Sequence, residues 1–386
     1  MERLQILSNS SISKFLVWTC GPLGLIFNLY VLITCVRNLS NGRKLQTVIL
    51  VSQVGSRFTD SSRKLINKGV LPTISKVASL LFLSLSSADL LSSLYLLSLA
   101  LADTYYSNLN CTIESNCDNV ILSNLSTSNP VNTGNNEEKN YTATTLSNQW
   151  ISSPLCLMLR FLTVTGSIGS SLTTLVIIVD RFFIVVYPFK VKYKLNLPRA
   201  SKICAGIWFF SILLGCITCV IATYTIYGTF NRVSWYNRLC IVDDASNGYV
   251  LPYVVFLGVG IFLIYVFIAV VYIITLVKIH KINHHNLNNR IDKKRSNSLK
   301  LGVIITGLIV AAGVLSWTPT AVASILFAAR LIPYDLDIVS NFATITTLII
   351  SANSLVNPLI FVILSARIKA IRTKNRTQRN QILPSF

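Results

Sequence analysis

Two kinds of charged group stand where charge is expensive. Asp180 and Arg181 close a long apolar run, Phe161 to Val179, and Asp89 lies in the middle of another. An ionised side chain at the centre of a bilayer-crossing helix costs roughly 2.5–3.5 kcal/mol on insertion scales. A carboxylate placed there needs a cation, a proton or hydrogen-bond donors around it. Two prolines in later apolar runs, Pro319 just after Trp317 and Pro358 just after Asn357, remove helix hydrogen bonds and kink their helices. Two kinks flanking one polar group favour a hinge over a static bend, and the charged groups read as parts of a switch.

The elements that must hold these groups are membrane helices. Of the 386 residues, 52% are hydrophobic and only 12% charged, and the mean hydropathy is +0.59. That balance excludes an ordinary soluble domain and points to a polytopic membrane protein. A spanning helix needs about 20 mostly apolar residues, and seven stretches qualify: 15–36, 78–101, 154–180, 203–224, 249–277, 301–328 and 339–364. An odd number puts the two chain ends on opposite faces. Lysine and arginine then choose the orientation. Segments 37–76, 190–202, 278–300 and 367–379 hold 26 of them, against 6 in the segments on the other side. The acids go the opposite way, 10 outside and 2 inside. The N-terminus is therefore expected outside. The net charge of +20 reads as positive-inside bias plus attraction to an anionic lipid bilayer, not as a nucleic-acid surface. No cleavable signal peptide is visible, and the first span is expected to act as its own insertion signal.

Two further marks agree with that orientation. Asn9, Asn110, Asn124 and Asn140 head Asn-x-Ser/Thr acceptors on the outer side. Cys111, Cys117, Cys156 and Cys240 also fall there, where thiols oxidise. Asn38 and Asn375 head sequons on the inner side and are expected to stay bare. Segment 102–150 is rich in Asn, Ser and Thr and reads as a long, glycosylated, largely disordered outer loop. Segment 37–76 is a long basic inner loop whose apolar patch, Val48–Val51, is too short to span. Segment 278–300 is basic and continues the fifth helix toward the sixth. It suits the docking of an acidic cytosolic partner as well as plain topogenic charge. The chain thus divides into an outer tail (1–14), a seven-span domain (15–364, with inner loop 37–77 and outer loop 102–152) and a cytoplasmic tail (365–386). In that tail, Ile368 and Ile371 among Arg367, Lys369, Arg372 and Lys374 suit a basic amphipathic helix on the inner leaflet.

The residues within the spans are more specific. Asn28 with Val31 sits in the first and Leu85-Ser-Ser-Ala-Asp89 in the second. Cys156 opens the third, and Asp180-Arg181-Phe182 closes it, with Pro188 seven residues further on. Trp208 is in the fourth, Trp317-Thr318-Pro319 in the sixth, and Asn357-Pro358-Leu-Ile-Phe361 in the seventh. In order and spacing this set resembles the rhodopsin-like (class A) G-protein-coupled receptors over nearly the whole chain. The resemblance implies an all-α membrane protein: a seven-transmembrane helix bundle, N-terminus outside, with a short amphipathic cytoplasmic helix after span seven. It implies a plasma-membrane receptor, not an enzyme, that senses an extracellular ligand, activates a heterotrimeric G protein and carries no resident cofactor.

The same resemblance implies roles. Cys156 and Cys240 would bridge the top of span three to the outer loop before span five, with Trp150 packed against the bridge. Cys111 and Cys117 either form a second, local pair or remain thiols. Asp89, Ser170, Asn353, Ser354 and Asn357 match the family's sodium pocket, and their oxygens suit a hard cation acting as an allosteric modulator. The alternative is a protonated Asp89 hydrogen-bonded to Asn28 and Asn357. Trp317 with Pro319 would act as a toggle and lever. Arg181 would pair with Asp180 at rest and face the G-protein cleft once span six swings out. Phe182, Asn357, Pro358 and Phe361 complete that coupling switch. Positions matching the ligand pocket are Arg160, Thr163, Ser167, Trp317, Thr320, Ser324, Thr347 and Ser351. Thr163 stands where amine receptors carry an Asp, and Ser351 where opsins carry the retinal lysine, so neither ligand is expected. Arg160 suits a carboxylate or phosphate held bidentately, but it could equally snorkel to the interface or pair with Asp243 or Asp244. The net negative outer loops would rather attract a basic peptide, so peptide and small-molecule ligands both stay open.

The chain departs from the family pattern at several points. Phe361 replaces the usual Tyr, Phe182 the Tyr after the Arg, and Gly313 a Phe below Trp317. Span five lacks its mid-helix proline, and either Tyr265 or Tyr272 could be its lower tyrosine. Leu299 stands where some relatives have an acid facing Arg181. From Asn28 to Asp89 is 61 residues, well beyond the usual separation, which a genuine insertion or a gene-model error would both give. With few tail hydroxyls (Thr373, Thr377, Ser385), weak phosphorylation-dependent arrestin binding is expected. Two other functions compete with the receptor reading. One is a receptor-fold decoy or partner that no longer signals, favoured by Phe361 and Gly313. The other is a transporter using Asp89, for which half-repeats or several intramembrane ionisable groups would be expected.

Overall fold

A computed structural model describes residues 6–7, 11–54, 76–124, 149–187, 195–228, 239–241, 250–285, 307–319, 321–322, 325–326, 344–346 and 348–363. Asn9, Asn140, Pro188, Asp243, Asp244, Leu299, Thr320, Ser324, Thr347, Asn375 and segment 365–386 lie outside the described residues. So do the side chains of 41–54 and 109–124, which include Asn110, Cys111, Cys117 and Asn124.

The described chain is helical, without a strand. Five long helices come first: α1 (Ser11–Val54), α2 (Lys76–Asn124), α3 (Pro154–Val186), α4 (Leu197–Gly228) and α5 (Val250–His285). Two follow: α6 (Gly307–Pro319) and α7 (Thr344–Ile363). Six of the seven are long and apolar enough to cross a membrane, and α6 is apolar but shorter over its described residues. Phe256, Leu263, Phe267, Val270 and Ile274 of α5 are exposed, an apolar surface that lipid solvates and water does not.

α3 is the axis of the bundle, packing against α2, α4 and α5. Its start is set locally. Pro154 occupies the first turn, where its missing N–H costs nothing, and the Ser153 hydroxyl accepts from the Cys156 N–H at 3.1 Å. Small residues then let backbones close up, as helix packing within lipid requires. A Cβ on Gly166 of α3 would lie 2.9 Å from the Ala88 carbonyl of α2, and one on Gly21 of α1 would lie 2.9 Å from the Leu97 N of α2.

Two loop expectations need correction. α1 continues through the basic segment to Val54, and α2 continues through the Asn-rich segment to Asn124. Residues 37–54 and 102–124 are therefore helical, not irregular. The reason is local: 102–124 contains neither Pro nor Gly, and 37–54 has only Gly42, so nothing stops a helix already nucleated in the adjoining span. The extension of α5 through Lys278 and Lys281 to His285 agrees with expectation.

Candidate functional site

Asp89, 2% exposed, is the centre of a polar core built by α1, α2, α3 and α7. The Asn357 Nδ2 donates to the Asp89 Oδ2 at 2.9 Å, and the Ser170 hydroxyl is within hydrogen-bonding reach of the same carboxylate. Asn28 does not bond Asp89; its amide donates to the Gly24 carbonyl at 2.9 Å and the Ser354 carbonyl at 3.0 Å. The second bond has a clear cause. Pro358 has no N–H, so the carbonyl four residues earlier, that of Ser354, loses its helix partner. Asn28 replaces that donor from α1, as buried backbone in a membrane demands. Ser93 completes the core, donating to the Asp89 carbonyl at 2.9 Å and meeting the Ser354 hydroxyl at 3.1 Å.

The donor set fits a hard cation. The Oδ1 atoms of Asn353 and Asn357 are buried without a hydrogen-bond partner among the described residues. With the Asp89 carboxylate and the Ser170 and Ser354 hydroxyls, the Asn357 oxygen makes an all-oxygen set, the ligand type that such ions prefer. Hydrogen bonds link Asp89, Ser170, Ser354 and Asn357 through this core, and Asn353 is buried on α7 one residue before Ser354.

Beside this core lies an aromatic pair of α5 and α6. Tyr265 of α5 is 2% exposed and stacks on Trp317 of α6, with ring centroids 6.4 Å apart and an interplanar angle of 23°. Its hydroxyl is within reach of Ser171 of α3 and of Trp317. A Cβ placed on Gly313 would collide with the Tyr265 ring, and one on Gly307 would collide with the Tyr272 hydroxyl. Two tyrosines of α5, seven residues apart, therefore fill two notches in α6. The aromatic volume that the family usually supplies from helix six is supplied here from helix five.

At the other end of α3, Asp180 is buried and feels the charge of Arg181. The two opposite charges, adjacent at the end of α3, attract each other. Phe182 packs edge-on against Phe183 at 5.6 Å. Phe361 is buried on Phe82 of α2 at 5.0 Å, beside Val31 and Cys35 of α1. Trp208 links α4 to this half, its Nε1 donating to Ser84 at 3.1 Å, and Ser84 meets Thr173 of α3 at 3.2 Å.

At the end of the bundle where α3 begins the Cys156–Cys240 disulfide is present, with Cα atoms 5.3 Å apart, and Trp150 packs in the same buried cluster. The Tyr95 hydroxyl donates to the Leu239 carbonyl at 2.8 Å, seating the bridged loop on α2. Arg160 is fully buried, 0% exposed, so it does not snorkel to the surface. Thr163 and Ser167 follow it at helical spacing on one face of α3, and Ser351 on α7 is buried.

The family model of the 7 transmembrane receptor (rhodopsin family) matches residues 119–361. The chain belongs to this family, and its members are receptors, not enzymes. No curated protein matches the chain. α1 and most of α2 precede the matched stretch, yet they supply Asn28, Asp89 and Ser93 to the core.

Proposed function

We propose that this multi-pass membrane receptor senses an extracellular peptide or small molecule at the plasma membrane and promotes nucleotide exchange on a heterotrimeric G protein. The observation that carries the reading is the Asp89–Asn357 contact. A buried carboxylate of α2 is tied to the residue preceding Pro358 of α7 and sits beside Ser170 of α3, so a change in its surroundings displaces three helices together. Receptor action needs two such states with different affinities for the two partners. On this reading the domain runs from 15 to 364, with the 1–14 tail outside and 365–386 inside. Asn9, Asn110, Asn124 and Asn140 are the glycan acceptors.

Asp89, Ser170, Asn353, Ser354 and Asn357 would hold a sodium ion, which would supply a compensating positive charge favouring the resting arrangement. Trp317 and Pro319 transmit displacement from the outer half, and Asp180, Arg181, Phe182, Asn357, Pro358 and Phe361 form the coupling end. Ligand contacts are assigned to Arg160, Thr163, Ser167 and Ser351, with Thr320, Ser324 and Thr347 as the remaining positions that match the family's ligand pocket. Arg160 is assigned to an anionic group on the ligand because its guanidinium suits a carboxylate or phosphate held bidentately. Arrestin engagement is expected to be weak.

The test is a panel of peptides and lipids read by G-protein dissociation, with and without sodium. An active ligand whose potency falls with sodium in the wild type, and not in Asp89→Asn, supports the reading. Sodium dependence unchanged in Asp89→Asn goes against it. A second reading, a receptor that has lost signalling, is favoured by the burial of Phe361 on Phe82 without a hydroxyl. Family membership sets the transporter reading aside.

A further inference from the structure

The segment ahead of α1 folds back onto the bundle. Ile6 and Leu7 are 2% and 0% exposed, as buried as any residue of the core. They belong to the outer cluster that contains Val17 of α1, Tyr95, Leu96 and Leu99 of α2, Trp150 and the Cys156–Cys240 bridge. The Leu7 N–H donates to the Asp103 Oδ1 at 3.0 Å, and the Ile6 amide is in reach of the same carboxylate. Asp103 itself is 8% exposed, and Lys14 lies within its electrostatic range.

A carboxylate this buried is costly unless donors meet it. Here two consecutive backbone amides do so, from 96 residues away in sequence, while two aliphatic side chains enter the apolar cluster alongside. That combination is a recognition site for a peptide segment: an anion for consecutive N–H groups, and apolar niches for the side chains.

We propose that Asp103 and the surrounding cluster form a peptide-binding site whose occupant is the receptor's own Ile6–Leu7 segment, a tethered lid on the ligand-facing end of the bundle. The lid ties the start of the chain to α2 beside the bridged loop. A ligand arriving from that side meets the lid as part of its surroundings. The statement that this end is extracellular rests on the proposed receptor topology; the docking itself does not.

The test is cysteine protection in the full-length receptor in cells. Leu7→Cys and Ile12→Cys, at an exposed position that leaves the Asn9 sequon intact, are labelled with a membrane-impermeant maleimide, on intact and on permeabilised cells, against the wild-type background. Leu7→Cys is expected to react at least about tenfold more slowly than Ile12→Cys, the factor that a charge-assisted hydrogen bond carries. Adding Asp103→Ala should bring the two rates together, and Asp103→Asn, which keeps an acceptor oxygen, should retain protection. Equal rates for Leu7→Cys and Ile12→Cys with Asp103 intact would overturn the lid, as would protection indifferent to Asp103→Ala. If Asp103→Ala fails to reach the surface, the comparison with Asp103 intact decides. Labelling of Ile12→Cys only after permeabilisation would refute the topology and leave the rate ratio to judge the lid.

Discussion

Gly313→Ala tests the α5–α6 contact most sharply, because its effect should change sign with the residue opposite. A methyl at 313 lands on the Tyr265 ring, which is 2% exposed and stacked on Trp317. The ring cannot step aside without giving up that stacking. Overpacking of this kind costs about 1–3 kcal/mol, against which alanine recovers roughly 1 kcal/mol of helix preference over glycine. With Tyr265 present the substitution should therefore destabilise, or at best break even. In a Tyr265→Ala background the collision partner is gone, and the same substitution should stabilise by up to about 1 kcal/mol. Gly313→Phe in that background should also recover part of the roughly 3–5 kcal/mol that emptying a buried aromatic site costs. The assay is thermal unfolding of the detergent-purified variants as a double-mutant cycle. A Gly313→Ala change of equal size in both backgrounds, or a stabilising one with Tyr265 intact, would refute the claim that Tyr265 replaces the missing helix-six aromatic.

Three further outcomes follow from the same geometry. Asn28→Ala leaves the Ser354 carbonyl without its replacement donor and should lower stability by about 1–2 kcal/mol; an unchanged thermal midpoint would contradict the Pro358 argument. Cys240→Ser opens a bridge that closes 84 residues and should cost on the order of 2–5 kcal/mol, read as a lower thermal midpoint and less receptor at the cell surface. Phe361→Tyr would bury a hydroxyl against Phe82 in an apolar cluster. At about 1–3 kcal/mol for an unsatisfied polar group, this disfavours the arrangement described here, so basal second-messenger output should rise. A flat basal level would favour the signalling-deficient reading.

Much of the architecture was legible because it is written in single residues with strong preferences. The apolar runs marked the helices, and the resemblance to the receptor family implied the Cys156–Cys240 bridge and the polar core of Asp89 with Asn357. What stayed hidden depends on helix rotation and on tertiary contact. That Tyr265 and Tyr272 both meet α6 was hidden because α5 is apolar on all sides, so its sequence carries no phase to show which residues face a neighbour. Gly313 read as a loss, and only the opposing ring revealed it as a notch. The overrun of α1 and α2 was missed because polar composition suggested loops, whereas helix length past the apolar run depends on where a breaker falls. Ile6 and Leu7 form too short a stretch to show any periodicity.

The most direct test of receptor function is nucleotide exchange on purified heterotrimeric G proteins by the purified receptor in lipid vesicles. A panel covering the G-protein classes is measured at low and high sodium, with Arg181→Ala and Asp89→Asn alongside the wild type. At least one heterotrimer should exchange nucleotide faster than with empty vesicles, sodium should slow it, and Arg181→Ala should abolish the acceleration. No acceleration of any heterotrimer, with Phe361→Tyr equally silent, or an acceleration that survives Arg181→Ala, would contradict it.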